Sequence, residues 1–361
     1  MITPEDRARA ANLLAGFQAT GAQTVAPPIL QPAGTLLDLY GEDIRARAFT
    51  TQDPLHGETM LRPDFTVPVV QTHMNTGAEP ARYCYAGEVF RRQETDPDRP
   101  REYLQVGYEV FDGTDPAAAD AEVFDLIARA LAPWSPAPAT GDLGLLIAAV
   151  AALTTSERRR AALRRHIWRP RRFRRLMDRF TGRAEITPNR KALLKRLRRT
   201  TSETILAETG PAVGLRSEAD IADRLAALQD DAALDPIAPA EAEAIDALLE
   251  IDGTLADVLG PIRDLAVDLP GLDAAADRLE ARAEALAKRG HNPTSLPFAP
   301  SRGRSAMEYY DGFTFTFSGR PDQPPLATGG RYDALTAVLG GGRSIPAVGG
   351  VIRPGLLEPL P

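Results

Sequence analysis

Apolar residues recur along this chain in three regimes. Between Pro4 and residue 20 they return at helical spacing, with Leu13, Leu14 and Phe17 on one face. After Gly21 the text turns strand-like at Thr24-Val25-Ala26-Pro27-Pro28-Ile29-Leu30, and short alternating runs and turns continue to about residue 133. One helix interrupts them. It opens at Asp115-Pro116, a capping acid before a first-turn proline, and carries Val123, Phe124, Ile127 and Leu131 as its stripe. Trp134-Ser135-Pro136-Ala137-Pro138 breaks the pattern. From about 140 to 290 helical spacing takes over, with Ser217 and Asp220 placed as a capping box before Ile221, Leu225 and Leu228. Pro270-Gly271 parts two further helices. From about 295 the period of two returns: residues 312–319 alternate strictly between glycines, followed by a Gly-Gly-Arg-Tyr turn, a short helix near 331–339 and an apolar strand, Ala347–Ile352. This predicts one α+β domain built from both ends of the chain, 1–135 and 292–361, interrupted by a helical insertion, 136–291. There is no internal repeat.

Composition narrows the class. The chain has 361 residues, enough for about two domains at ~150 each, and its 43% hydrophobic and 25% charged residues exclude a wholly disordered chain. No apolar run approaches the ~18 residues of a membrane span, and Met1–Arg7 lacks the basic and apolar regions of a signal peptide. The lone cysteine, Cys84, excludes an internal disulfide framework and a cysteine zinc site, and fits the reducing cytoplasm, the expected location. The net charge of −7 conceals an asymmetry. Between Thr155 and Thr200, 18 lysines and arginines stand against 3 acids, a balance of +15 that leaves −22 for the rest. With Trp168, Phe173 and Phe180 among them, these cations suit a nucleic acid, an acidic protein surface or a solvated face.

Candidate chemistry clusters on strands. In Tyr103–Phe111 the side chains of Leu104, Val106, Tyr108 and Val110 face one way, into a core, and those of Gln105, Gly107 and Glu109 the other. An amide, a bare glycine and a carboxylate in a row make either a floor for a small amine-bearing ligand or a solvated sheet face. In Tyr83–Arg91, Arg91 shares a face with Tyr83, Tyr85 and Gly87, and its guanidinium suits a carboxylate or phosphate. Cys84 falls on the opposite face as a small core residue. Arg92–Glu102 forms a long polar hairpin loop. Leu61-Arg62-Pro63-Asp64-Phe65-Thr66 sets an acid and a hydroxyl two residues apart, and Tyr309-Tyr310 precede a tight turn, where they pack in a core or line a site. The four histidines show no metal-ligand spacing, no glycine cluster matches a phosphate loop, and there is no nucleophile elbow. No metal or cofactor is expected.

Together these segments resemble the catalytic core of histidyl-tRNA synthetase, a class II synthetase fold, over roughly 1–133 and 295–353. Pro28 is similar to the motif 1 proline at that family's dimer interface. Leu61–Thr66 is similar to its Leu-Arg-Pro-Glu-Gly-Thr, and Phe90-Arg91, Arg99, Gln105-Val106-Gly107 and Glu109 align with its motif 2. Tyr309-Tyr310 matches the histidine-specific tyrosine pair and Gly329–Asp333 the loop after it. The resemblance implies an antiparallel sheet flanked by helices, a homodimer formed around Pro28, and a histidine pocket of Asp64, Thr66, Arg91, Gln105, Glu109, Tyr309 and Tyr310.

Three departures qualify it. Where the synthetase reads Arg-Gly-Leu-Asp-Tyr-Tyr, its activating arginine falls here on Ser305, with Arg304 one residue off. The motif 3 arginine falls on Leu356, with Arg353 nearby as a substitute. The chain stops at Pro361, where an anticodon-binding domain would follow. In these respects the sequence resembles the regulatory subunits of short-form ATP phosphoribosyltransferase, synthetase paralogues without catalytic residues. That resemblance implies a cytoplasmic hetero-oligomer with a catalytic subunit, which joins ATP to phosphoribosyl pyrophosphate in the first step of histidine biosynthesis. It also implies histidine as feedback effector, and neither a membrane nor a nucleic acid as partner. The alternatives are a truncated synthetase-like enzyme forming an aminoacyl-adenylate and an RNA-binding module using the arginine run.

Overall fold

The structure, a computed structural model, describes residues 2–40, 44–45, 47–93, 99–209, 216–304 and 309–358. Its strands are β1 (Gln23–Thr24), β2 (Leu30–Pro32), β3 (Thr50–Asp53), β4 (Gly57–Leu61), β5 (Ala81–Phe90), β6 (Glu102–Phe111), β7 (Ala137–Asp142), β8 (Gly253–Thr254), β9 (Pro297–Phe298), β10 (Phe313–Ser318), β11 (Ala327–Arg331) and β12 (Ala347–Ile352). Nine form one sheet in the order β1-β5-β6-β12-β11-β10-β7-β9-β8, whose six central strands are antiparallel neighbours. A second sheet, β2-β4-β3, stands apart. The expected α+β architecture, a sheet flanked by helices, is observed; the centre of the sheet is antiparallel as expected, while β1 with β5 and β7 with β9 pair in parallel.

The helix Pro4–Gln18 starts where the sequence sets it. Thr3 accepts the Asp6 amide while Asp6 accepts the Thr3 amide, and Ala10, Leu13 and Phe17 are buried. Asp115 likewise caps Pro116–Leu131 through the Ala118 amide. Both helices pack on one face of the main sheet. Tyr108 of β6 meets the Phe17 ring at 5.4 Å and donates its hydroxyl to Glu122 at 3.0 Å, so the apolar side of β6 faces this layer as its alternation requires.

Two elements depart from the sequence pattern. Ala137–Asp142 falls inside the stretch expected to be helical insertion, yet it is β7, paired along its whole length with β10 in the main sheet. A proline, Pro138, and a run of small residues hide its period of two. Gly329-Gly330-Arg331, expected as a turn, is the second half of β11, where Gly329 pairs with Gly350 and Gly330 with Gly349. The other elements described between 143 and 288 are helices, from Leu143–Ala152 to Leu272–Lys288, apart from the two-residue β8.

A buried ionic cluster joins the parts. Arg282, on helix Leu272–Lys288, donates Nε to Asp120 Oδ2 and Nη1 to Asp142 Oδ2, both at 2.7 Å, and lies over the Phe313 ring. Arg331, at the end of β11, donates Nε and Nη2 to Asp120 Oδ1 at 3.0 and 2.7 Å. Asp120 therefore receives two guanidiniums, one from the insertion and one from the C-terminal strands. Removing one member of a buried ionic group strands its partners in a low dielectric, at a cost of ~3–5 kcal/mol. Asp120→Ala is expected to lower the urea midpoint accordingly. A midpoint within error of wild type would show the cluster to be energetically idle.

Candidate functional site

The other face of β6 carries the site. Gln105 and Glu109 are each only 1% exposed, so this is a buried polar layer and not a solvated sheet face. Glu109 accepts three hydroxyl hydrogen bonds: from Tyr85 (2.8 Å) and Thr66 (3.0 Å) at Oε1, and from Tyr332 (2.6 Å) at Oε2. Its neighbours on β12 are glycines by necessity. A Cβ on Gly349 would lie 1.4 Å from Glu109 Oε2, and one on Gly350 2.8 Å from the Phe315 ring. Burial drives the Glu109 carboxyl up to about 7, against the lowering effect of the three hydroxyls, and the nearby Asp64 adds to the rise.

Above this layer is a narrow cavity lined by Asp64, Thr66, Arg91, Gln105, Tyr309, Tyr310, Thr328, Tyr332, Gly349–Val351 and Arg353. Six of the seven residues expected to bind histidine therefore share one cavity. Glu109 does not line it. Both of its oxygens accept the hydroxyls of Thr66, Tyr85 and Tyr332, and it sits beneath the cavity as their common acceptor.

Each wall has a local cause. In the Leu61–Thr66 segment, Arg62 is structural, donating Nε to the Glu88 carbonyl at 2.8 Å and stacking over Phe65, whose ring lies on Tyr85 at 4.3 Å. The Pro63 carbonyl accepts Arg91 Nε at 2.8 Å, which directs that guanidinium to the cavity. Asp64 takes the Val67 amide on Oδ1 at 3.3 Å, while its buried Oδ2 has no partner among the described residues. Gln105 Oε1 is likewise buried and without a partner among them. Burial raises the Asp64 carboxyl and the charge of Arg91 opposes the rise. Arg353 enters from the end of β12, donating to the Pro325 carbonyl (2.7 Å) and to Thr328 (3.2 Å). Tyr309 stands 4.9 Å from Tyr310, ring to ring, and reaches Thr66 at 3.5 Å. The cavity thus presents two acceptors in want of a donor beside two guanidiniums, which suits a zwitterionic amino acid.

The histidyl-tRNA synthetase family model matches residues 4–234 and 220–354. Proteins described as ATP phosphoribosyltransferase regulatory subunits are similar at 34% identity over 349 residues in Brucella anthropi (91% of this chain, 90% of that protein) and at 33% over 351 residues in Brucella canis (92% of each). This chain belongs to that family of regulatory subunits. A crystal structure described as an ATP phosphoribosyltransferase regulatory subunit/histidyl-tRNA synthetase, from Bacillus halodurans, has the same fold, with a TM-score of 0.67 and 22% identity over 98% of this chain and 78% of that one. A histidyl-tRNA synthetase from Nostoc superposes with a TM-score of 0.62 at 16% identity over 100% of this chain and 75% of its own.

Within this regulatory-subunit fold the remaining motif residues take definite places. Ser305, where the resemblance puts the activating arginine, lies outside the described residues with 306–308, as do 94–98 of the hairpin loop. Arg304 does not line the cavity. It is buried, donates Nε to the Ile167 carbonyl at 2.8 Å and lies over the Phe173 ring. Burial and the charge of Arg174 lower it to about 10. Arg99 is exposed and away from the cavity. Trp168, from the arginine run, donates its indole N–H to the Tyr310 carbonyl at 3.0 Å. Tyr85, Tyr332 and Thr328 were not among the expected site residues. The paired glycines of two neighbouring strands were the available signal, since bare backbone leaves space for large polar side chains.

The pH behaviour of Glu109 checks this geometry. Its carboxyl moves from an ordinary 4.5 to about 7 on folding, so between those values the folded chain holds a proton that the unfolded chain has released. Stability contributed by Glu109 therefore falls as pH rises through that window. Glu109→Gln keeps a neutral group there, and its urea midpoint is expected to gain on wild type from pH 4.5 to 7. Asp311, also raised to about 7, titrates in both proteins and cancels in the difference. Parallel pH curves would refute the buried titration.

Proposed function

We propose that the chain is the non-catalytic, regulatory subunit of a short-form ATP phosphoribosyltransferase complex, and that its cavity binds histidine as the feedback signal. The relatives' names support a regulatory role in histidine biosynthesis. The observation that carries the histidine reading is the pair of buried acceptors without a partner among the described residues, Asp64 Oδ2 and Gln105 Oε1, on residues that line the same cavity as Arg91 and Arg353. An α-ammonium offers three N–H donors and a counter-charge to Asp64. The α-carboxylate meets Arg91, with Arg353 beside it, and Tyr309 and Tyr310 flank the side chain. Glu109 acts one layer down, by fixing Thr66 and Tyr332.

Adenylate formation is the second reading, favoured by Arg353 in the cavity wall. The placement of Arg304 against Ile167 and Phe173 counts against it, because the near-register arginine is spent on the helical insertion. ATP–pyrophosphate exchange driven by histidine distinguishes the two, and none is expected.

Catalysis then belongs to the partner subunit in the cytoplasm, and histidine alters it by binding two states of the complex unequally. Asp64→Asn removes the counter-charge with little change of shape. Calorimetry is expected to show at least a ~10-fold loss of histidine affinity, the equivalent of ~1.4 kcal/mol. Unchanged affinity would remove Asp64 from the site and the histidine reading with it.

The isolated chain is expected to be a homodimer built around Pro28. Ile29 and Leu30 beside it are 43% and 48% exposed, and β2 is an edge strand, so this patch offers apolar surface and free backbone to a second copy. Sedimentation at micromolar concentration is expected to give twice 38.9 kDa. A clean monomer would overturn the dimer.

A further inference from the structure

The arginines of 155–200 divide into two populations. Arg159 is buried and gives Nε to Asp231 at 2.8 Å, and Arg179 and Arg190 meet the same carboxylate. Arg160 and Arg164 meet Glu157, Arg183 meets Asp246, and Arg196 meets Glu208. The helix Pro170–Phe180 holds the other population. It buries Phe173, Met177 and Phe180 at a spacing of four and three, which turns Arg171, Arg172, Arg174 and Arg175 outward. All four are exposed, and none forms an ion pair with a described residue. Like charges three and four apart on one helix oppose its formation, in a chain whose 49 acids neutralise the neighbouring arginines.

We infer that this guanidinium face is a docking surface for an acidic patch on the catalytic subunit, an inference that rests on the regulatory-subunit reading above. Guanidinium forks match carboxylates in paired geometry, and four of them on one helical turn and a half concentrate that match. A nucleic acid fits less well. Phe173 and Phe180 point into the core and Trp168 is held by Tyr310, so no ring of this stretch is free to stack on a base. The −22 carried by the rest of the chain repels a long polyanion, whereas a local acidic patch meets only the arginines. An acid seated against Arg174 would also relieve the charge that Arg174 places on buried Arg304, whose Nη2 has no partner among the described residues.

The test is binding of the full-length chain to the catalytic ATP phosphoribosyltransferase subunit encoded in the same genome, measured by calorimetry at several salt concentrations. Arg171→Gln/Arg175→Gln should weaken association at least ~10-fold and flatten its salt dependence, and Arg171→Glu/Arg175→Glu should weaken it further. Histidine affinity and near-ultraviolet circular dichroism report that each variant is folded; if the glutamate variant fails them, the glutamine variant decides. Wild-type affinity in a folded glutamine variant overturns this inference and leaves the regulatory reading standing. Failure of the wild-type chain to bind the catalytic subunit overturns both. A tRNA gel shift by wild type that the variants lose, with subunit affinity unchanged, reassigns the face to nucleic acid and overturns the inference.

Discussion

One buried carboxylate, Asp120, carries the assembly of this fold. It sits on a helix from the N-terminal half and receives Arg331 from the C-terminal strands and Arg282 from the insertion, while Arg282 also holds Asp142 at the end of β7. Three stretches distant in sequence thus close on one point. Such a cluster need not add net stability over an apolar replacement, because desolvation offsets the attraction. What it does is penalise misassembly. If any of the three stretches is displaced, a charge is left buried without its counterpart. A chain whose sheet is completed only by strands from both ends requires some such constraint, and hydrophobic burial, being non-directional, does not supply it.

The site stands on a second carboxylate with a different purpose. Glu109 lies in the middle of the sheet with no cation in contact among the described residues, and its three hydroxyl partners come from β5, from the start of helix Thr66–Thr76 and from the residue after β11. It aligns those hydroxyls as donors and so fixes the orientation of the cavity floor. The glycines opposite it are the corollary. Gly349 on β12 and Gly330 opposite it on β11 leave room for the Glu109 carboxylate and the Tyr310 ring, while Gly350 and Gly329 leave room for the Phe315 ring on the helix-packed face. A side chain at Gly349 or Gly330 would evict part of the floor.

Much of this was legible in the sequence, and the exceptions share a cause. The period of two in Tyr103–Phe111 correctly separated an apolar face from a polar one, because alternation is a local property of a strand. The same local logic placed Asp64, Thr66 and Arg91 together once the family resemblance supplied the pairing. It could not say that the polar face was itself covered, since what covers it comes from Tyr332 and from glycine strands more than 200 residues away. The three hydroxyls that Glu109 accepts were consequently not legible from its own strand. Ala137–Asp142 failed for the converse reason: its residues carry little strand preference of their own, and β10 imposes the conformation by pairing. Arg304 read as a near-miss for a catalytic position because register along the chain says nothing of which neighbour claims the side chain.

That last residue shows how the insertion is tied to the cavity. Arg304 is drawn to the Ile167 carbonyl and the Phe173 ring, and Trp168 holds the Tyr310 carbonyl, so the tyrosine wall is fastened at two points to the segment that bears the arginines. Neither contact involves the main sheet. The acceptors across the cavity belong to other elements, Gln105 to β6 and Asp64 to the turn before helix Thr66–Thr76. The tyrosine wall thus touches the insertion and the sheet together, because the Tyr310 ring lies against Gly330 of β11 and Tyr309 reaches Thr66. A ligand seated against that wall would meet side chains held from both, so its binding and any displacement of the insertion would be linked.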